Sequence, residues 1–272
     1  MERLEAALEK ARSDRLVVQQ IATAEDSNAP TPIGVDDRWA NLKEIKVSAR
    51  IARKNRVTAI KQGKQSGSYD LLRSRALRLM LENQWSSLAV TSPNKTCGKT
   101  TVSANLALSL ARQFDLRVML MDMDLRRPAM HKIFGHRPNH SLHEVLTDTQ
   151  PMESAIVRFG ENLAIGLNNK PAGNPSELLQ SKTTKARLQD IRNAFQPDIV
   201  IFDMPPMLAS DDNVGFLPMV DCGLLIGAAD STTISQIDIC EKELSELTNV
   251  LGVVLNKCRF SENEAGYDYD YY

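Results

Sequence analysis

Gly98-Lys99-Thr100-Thr101 sets a lysine and two hydroxyls directly behind a glycine, where a long apolar helical pattern of Val102, Leu106, Leu110 and Ala111 begins. The strand-like run Trp85-Ser86-Ser87-Leu88-Ala89-Val90 and the loop Thr91-Ser92-Pro93-Asn94-Lys95-Thr96-Cys97 precede it. Backbone N–H groups of such a loop and helix start cradle phosphate, and the helix dipole favours negative charge there. In the pattern G-x-x-x-x-G-K-[ST], Lys99 reaches the β- and γ-phosphates and the Thr100 hydroxyl ligates Mg²⁺. Pro93 stands where the first glycine of that pattern falls, so an incidental Gly-Lys-Thr at a helix start is the competing reading. Cys97 is either a thiol made oxidation-sensitive by the helix N-terminus or a small residue that the loop accepts.

Carboxylates complete the chemistry. Met121-Asp122-Met123-Asp124-Leu125-Arg126-Arg127-Pro128 and Ile199-Val200-Ile201-Phe202-Asp203-Met204-Pro205-Pro206 each follow an apolar run. Open α/β sheets bind ligands at the carboxyl ends of their strands, and an Asp there holds Mg²⁺ directly or through water. A single such Asp often only caps a turn or helix. Asp122, Asp124 and Asp203, in this order after Gly98-Lys99-Thr100, are harder to assign to capping.

These residues need a frame, and the pattern from Tyr69 onward supplies one. Short apolar runs at Ser87–Val90, Val118–Met121, Asp198–Phe202, Gly223–Ile226 and Val250–Leu255 read as strands buried on both faces. Helical patterns occupy Leu71–Leu81, Thr184–Phe195 and Thr233–Leu247. The expected fold is α/β, P-loop NTPase-like, a mainly parallel sheet flanked by helices on both faces.

Composition bounds the rest. The hydrophobic fraction of 42%, the charged fraction of 25% and the net charge of −1 are those of a soluble globular protein. They argue against nucleic-acid binding by overall basicity. No apolar run nears bilayer length, and Met1-Glu2-Arg3-Leu4-Glu5 lacks a signal-peptide core, so a cytoplasmic protein is expected. Cys97, Cys222, Cys240 and Cys258 make no C-x-x-C pair. His131, His136, His140 and His143 match no standard zinc spacing and read as surface or loop residues.

Residues 1–65 read as an amphipathic and basic extension with a linker, partly disordered, ahead of a domain over 66–260. Met1–Val18 suits a surface helix, and Ala24–Asp37 a linker. Lys43–Lys64 carries many cations against the single acid Glu44. It is either a site for an anionic membrane or acidic partner, or a solvated helical face.

The motif order resembles the bacterial tyrosine kinases of exopolysaccharide and capsule synthesis, over about residues 69–272. The resemblance rests on the Gly98-Lys99-Thr100 loop, Asp122-x-Asp124-x-Arg126-Arg127-Pro128, and Asp203-x-Pro205-Pro206. Asn174-Pro175-Ser176-Glu177-Leu178-Leu179 and Gly252-Val253-Val254-Leu255-Asn256-Lys257 also look like family segments. It implies ATP and Mg²⁺ as cofactors, with Cys97, Gly98, Lys99, Thr100 and Thr101 around the phosphates and Asn256 near the adenine. Thr100, Asp122, Asp124 and Asp203 would serve the metal. Lys99, Asp122 and Asp124 would be catalytic, Asp122 as candidate base. The family's oligomerisation helix is matched loosely near Asp70, Arg73, Arg75 and Arg78. A homo-oligomer is implied, as is a separate membrane-spanning chain-length regulator that recruits the chain to the inner face of the plasma membrane.

Tyr267-Asp268-Tyr269-Asp270-Tyr271-Tyr272 ends the chain in an acidic stretch without aliphatic residues, expected to be disordered. Tyr267, Tyr269, Tyr271 and Tyr272 are then phosphoacceptors, or alternatively a docking tail. Two other functions compete with an autokinase that acts in trans. One is a partitioning or cell-division ATPase, whose signature lysine position is held here by Asn94. The other is a nucleotide-controlled scaffold of polysaccharide machinery.

Overall fold

The computed structural model describes residues 34–258. The expected Met1–Val18 helix and the tyrosine-rich tail lie outside the described residues. The strands are β1 (Lys43–Glu44), β2 (Ser87–Thr91), β3 (Val118–Asp122), β4 (Ile156–Phe159), β5 (Leu163–Gly166), β6 (Ile199–Asp203), β7 (Cys222–Ala228) and β8 (Asn249–Asn256). They form one sheet in the order β1-β4-β5-β3-β6-β2-β7-β8. All neighbours are parallel except β4 and β5, which pair antiparallel.

The helices are α1 (Val35–Asn41), α2 (Ala49–Lys54), α3 (Gly67–Glu82), α4 (Lys99–Ala111), α5 (Met130–Phe134), α6 (Leu142–Leu146), α7 (Pro175–Gln180), α8 (Lys182–Phe195), α9 (Asp212–Phe216) and α10 (Ile234–Leu247). They cover both faces of the sheet, as the continuous apolar strands require. Strand side chains alternate between faces. Leu88, Val90, Val118, Leu120, Ile199 and Ile201 point into the core under α3, α4 and α5. Ala89, Met119, Met121, Val200 and Phe202 point into the opposite core, under α6, α8 and α10.

That alternation positions the chemistry. Asp122 continues the row of Val118 and Leu120, and Asp203 the row of Ile199 and Ile201. Both therefore project to the α4 side of the sheet. The register pairs Asp122 with Asp203 and Val90 with Asp203, so the strand-end carboxylates are neighbours. α4 is buried nearly all round, because the sheet lies on one side of it and α3 on the other.

Residues 34–65 differ from the linker and basic extension that the sequence suggests. Trp39, Leu42, Ile45, Val57 and Ala59 are buried in the same two cores as the rest of the chain. β1 adds an edge strand next to β4. Trp39 Nε1 donates to the Phe195 carbonyl at 2.7 Å. The buried Asn105 amide accepts from the Thr58 and Ala59 N–H groups and donates to the Arg56 and Thr101 carbonyls. The boundary expected near residue 65 therefore marks no break in packing. Apolar residues interleaved with exposed cations obscure this segment in the sequence.

Candidate nucleotide site at the carboxyl end of the sheet

β2 lies between β6 and β7, and the loop leaving it turns sharply into α4. Thr96 and Gly98 both have positive φ, 72° and 93°. At Gly98 this conformation and the packing together exclude a side chain, because a Cβ would collide with the Asn256 amide. Asn256 Nδ2 donates to the Cys97 carbonyl at 2.9 Å and braces the loop from β8. The segment after β6 is tied to the same loop. Thr91 Oγ1 donates to the Pro205 carbonyl at 2.8 Å, and the Met207 and Leu208 N–H groups donate to the Ser92 and Pro93 carbonyls.

Lys99 opens α4 and is buried at the floor of the site. Its Nζ donates to Asp124 Oδ2 at 2.8 Å and lies 3.7 Å from Asp203 Oδ2. Burial disfavours the ammonium, but Asp203, Asp124 and Asp122 outweigh it and hold the Lys99 pKa above its ordinary value. The reverse holds for the carboxyls. Burial, then the charge of Asp203, pushes Asp122 well above the usual carboxylate range. Burial also raises Asp203, against the opposing pull of Lys99.

Each of these two residues keeps a buried oxygen, Asp122 Oδ1 and Asp203 Oδ2, that accepts no hydrogen bond. Asp122 Oδ2 accepts from Met130 N–H at 3.2 Å, and Asp203 Oδ1 from Ser103 Oγ at 3.0 Å. The Thr100 hydroxyl acts with Lys99 to offset part of the burial of Asp203. A buried acceptor without a donor costs free energy, so this pair is suited to receiving a cation. Among the described residues, no three Asp, Glu, His or Cys side chains form an all-protein metal cage. Mg²⁺ shared with a phosphate needs only one or two carboxylates.

The cleft above this floor measures about 620 Å³ and is lined by Gly98, Lys99, Thr100, Thr101 and Asp124 among others. That volume suits a nucleotide-sized ligand. A smaller apolar cavity of about 230 Å³ between the opposite sheet face and α8 holds none of these groups. The structure thus brings together Lys99, Thr100, Asp122, Asp124 and Asp203. It sets two expected residues at the margin. Cys97 is buried with its Sγ 3.6 Å from Thr232 Oγ1, so only its backbone belongs to the loop. Asn256 sits behind the loop, while its neighbour Lys257 lines the cleft.

Ser103 and Asn168 support the site without a signal of their own in the sequence, and Arg126 of the Asp122 motif joins them. Ser103, on an apolar helix, orients Asp203. Asn168 Nδ2 donates to the Asp122 carbonyl at 2.7 Å. Arg126, on the cleft wall, is held by buried Asp212 through Nε at 2.7 Å and a second nitrogen at 3.0 Å.

Residues 88–268 match the CobQ/CobB/MinD/ParA nucleotide binding domain family. The tyrosine-protein kinase YwqD of Bacillus subtilis (strain 168) is 31% identical over 209 residues, covering 76% of this chain and 86% of that protein. The chain belongs to the bacterial tyrosine-protein kinases. The solved kinase domain of Escherichia coli tyrosine kinase ETK shares the architecture, with a TM-score of 0.67 and 27% identity over 84% of this chain and 94% of that one. Against the whole tyrosine-protein kinase etk of E. coli (strain K12), 31% identical over 179 residues, this chain spans only 24% of the length. Among the described residues, no helix of this kinase is long and apolar enough to cross a membrane.

Proposed function

We propose that this kinase transfers the γ-phosphoryl group of ATP, with Mg²⁺, to Tyr267, Tyr269, Tyr271 and Tyr272 of a neighbouring copy, in control of exopolysaccharide or capsule synthesis. The carrying observation is the convergence of Lys99 with Asp122, Asp124 and Asp203 beneath an open cleft, two carboxylate oxygens there lacking donors. The residues present therefore fit a magnesium nucleotide. When bound, ATP supplies the phosphoryl group and Mg²⁺ neutralises its developing charge.

This chain's own groups do the remainder. The N–H groups of Gly98 to Thr101 and the Lys99 ammonium hold phosphate. Thr100, Asp203 and Asp124 serve the metal side. Asp122, with its basicity raised by burial, accepts the tyrosine proton when ionised. Loss of the free Asp122 and Asp203 acceptors by substitution removes metal-dependent transfer while the loop contacts persist.

A homo-oligomer and a membrane-spanning activator belong to the same reading. Asp70 and Arg73, in the loosely matched assembly helix, are engaged within the chain. Asp70 accepts from Ser66 and Ser109 and pairs with Arg112 and Arg73. Of the four, Arg75 and Arg78 are the exposed members.

Transfer between copies is tested by mixing a full chain bearing Lys99→Met with a full chain whose four tail tyrosines are Phe. Phosphotyrosine on the Lys99→Met chain supports transfer in trans. Its absence, with ATP still hydrolysed, moves the reading to a partitioning-type ATPase. Light scattering before and after phosphorylation tests whether the modified tail, with about −1.5 to −2 charges per phosphotyrosine, releases the assembly.

A further inference from the structure

On the sheet face opposite α4, a cavity of about 230 Å³ lies between β3, β6 and α8. Its floor is Met119, Met121, Val200 and Phe202, the row of side chains that these two strands turn away from the nucleotide cleft. Phe216, Met219 and Val220 close one side. Phe202 and Phe216 meet edge to face, with ring centroids 5.0 Å apart. α8 supplies the remaining wall through Lys185, Leu188, Gln189 and Arg192. Their spacing of three, one and three residues puts them on one face of the helix.

Polar groups are confined to the edges of this space. The Ser87 hydroxyl is already engaged, donating to Asp221 Oδ2 at 2.8 Å and accepting from the Asp221 N–H at 2.9 Å. Gln189 Nε2 donates to Asn193 Oδ1 at 2.9 Å. The interior therefore offers a polar ligand little to bond. The rim carries two cations, and no carboxylate lines the cavity. Lys185 is exposed, and half-buried Arg192 donates to the Ser86 hydroxyl. Neither cation forms an ion pair with another described residue. Nearby acids are engaged elsewhere: Asp148 and Asp190 pair with Arg187, and Asp221 is held by Ser86 and Ser87.

We infer that this cavity is a binding site for a small amphiphilic carboxylate, an aryl- or alkyl-alkanoate. Its apolar body fills the space between the strands and α8, and its carboxylate lies between Lys185 and Arg192. A cavity of about 150 Å³ with aliphatic and aromatic walls holds a benzene ring, so this larger one takes a ring with a short aliphatic arm. Three methionines in the lining suit such a body, because the thioether chain is flexible and polarisable and adapts to irregular shapes. Burial of apolar carbon supplies the affinity, and the two cations select an acid over a neutral ligand of the same shape. Sugars and nucleotides present no comparable apolar body. The inference goes beyond the kinase reading and does not depend on it.

The test titrates 4-phenylbutyrate, and 4-phenylbutan-1-ol as its neutral analogue, into the full chain labelled with ¹³C at the methionine methyl groups. Excess ADP and Mg²⁺ are present throughout, to keep the carboxylate away from the phosphate loop. Met119, Met121 and Met219 line the cavity, whereas Met80 and Met130 lie in the opposite core. The first three signals should move with the acid and the other two should stay. The acid should bind about fivefold more tightly than the alcohol. Lys185→Gln, at an exposed residue, should reduce that preference to about twofold. Leu188→Trp and, from the opposite wall, Met219→Trp fill the cavity, and either should weaken both probes by about tenfold or more. Parental Met80 and Met130 signals identify which of the two filling variants is folded and can be read.

Met119, Met121 and Met219 signals that stay in place up to the solubility limit of 4-phenylbutyrate overturn the inference. Equal affinity of the parent and a folded filling variant for the acid overturns it as well. Equal binding of acid and alcohol by the parent would remove the carboxylate from the ligand's description and contradict the role given to Lys185 and Arg192.

Discussion

At the amino ends of β2 and β7, Asp221 Oδ2 accepts from the Ser86 and Ser87 N–H groups at 2.8 and 2.9 Å and from both hydroxyls at 3.2 and 2.8 Å. At the carboxyl ends of β3 and β6, Asp122 and Asp203 are fully buried, and each keeps an oxygen with no donor. Burial penalises all three carboxylates. Around Asp221 the Ser86 and Ser87 donors outweigh it and lower the pKa, whereas around Asp122 and Asp203 burial wins and raises it. A carboxylate that ties strands together is saturated. One reserved for a ligand is left short of donors, and the fold bears the destabilisation.

The contrast predicts opposite consequences for substitution. The largest effect belongs to Lys99→Met, which should lower phosphoryl transfer by roughly a hundredfold or more while circular dichroism shows a folded chain. Asp203→Asn should lose activity by a similar order in a Mg²⁺ titration, with ATP affinity changed far less. Parental rates for Asp203→Asn across the titration would contradict its proposed role. Asp221→Ala should do the reverse. Leaving the Ser86 and Ser87 N–H groups without acceptors should cost about 2–3 kcal/mol in denaturant unfolding, with kcat near the parent's where the protein is folded.

pH sharpens the same contrast. Asp221 has a lowered folded pKa, so its stabilisation is fully present above the unfolded value of 3.8 and lost as pH falls through the folded one. The stability gap between parent and Asp221→Ala should therefore be full at pH 7 and shrink below about pH 4. Asp122 has a raised folded pKa, so its favourable contribution is present below the unfolded value of 3.8 and lost as pH rises through the folded one. In Mg²⁺-free buffer, Asp122→Asn should be more stable than the parent at pH 7, and this advantage should vanish toward pH 4. Parallel pH trends for the two variants would remove the distinction. The smallest effect is expected of Ser103→Ala, about 1 kcal/mol in stability and a few-fold in rate, because Asp203 still faces the Lys99 ammonium.

Much of this site is legible in the sequence because its parts sit at punctuation marks. Gly98-Lys99-Thr100 opens a helix, and Asp122 and Asp203 each end a five-residue apolar strand. The strands β2, β3, β6, β7 and β8 and the helices α3, α8 and α10 follow from runs long enough to show their period. β1, with two residues, and β4, whose Ile156–Phe159 run includes Arg158, are too short for periodicity to register. The supporting residues are hidden for another reason. Ser103 and Asn168 are ordinary polar residues whose importance lies only in the aspartate that each one touches across the fold, Ser103 at the Asp203 carboxylate and Asn168 at the Asp122 backbone carbonyl.

The central claim is that this sheet end transfers phosphate to tyrosine, and mass spectrometry of the C-terminal peptide after incubation with ATP and Mg²⁺ tests it most directly. The account predicts phosphate on one or more of Tyr267, Tyr269, Tyr271 and Tyr272 in the parent and none in Lys99→Met. A parent that hydrolyses ATP while its tail and every other tyrosine stay unmodified would contradict it.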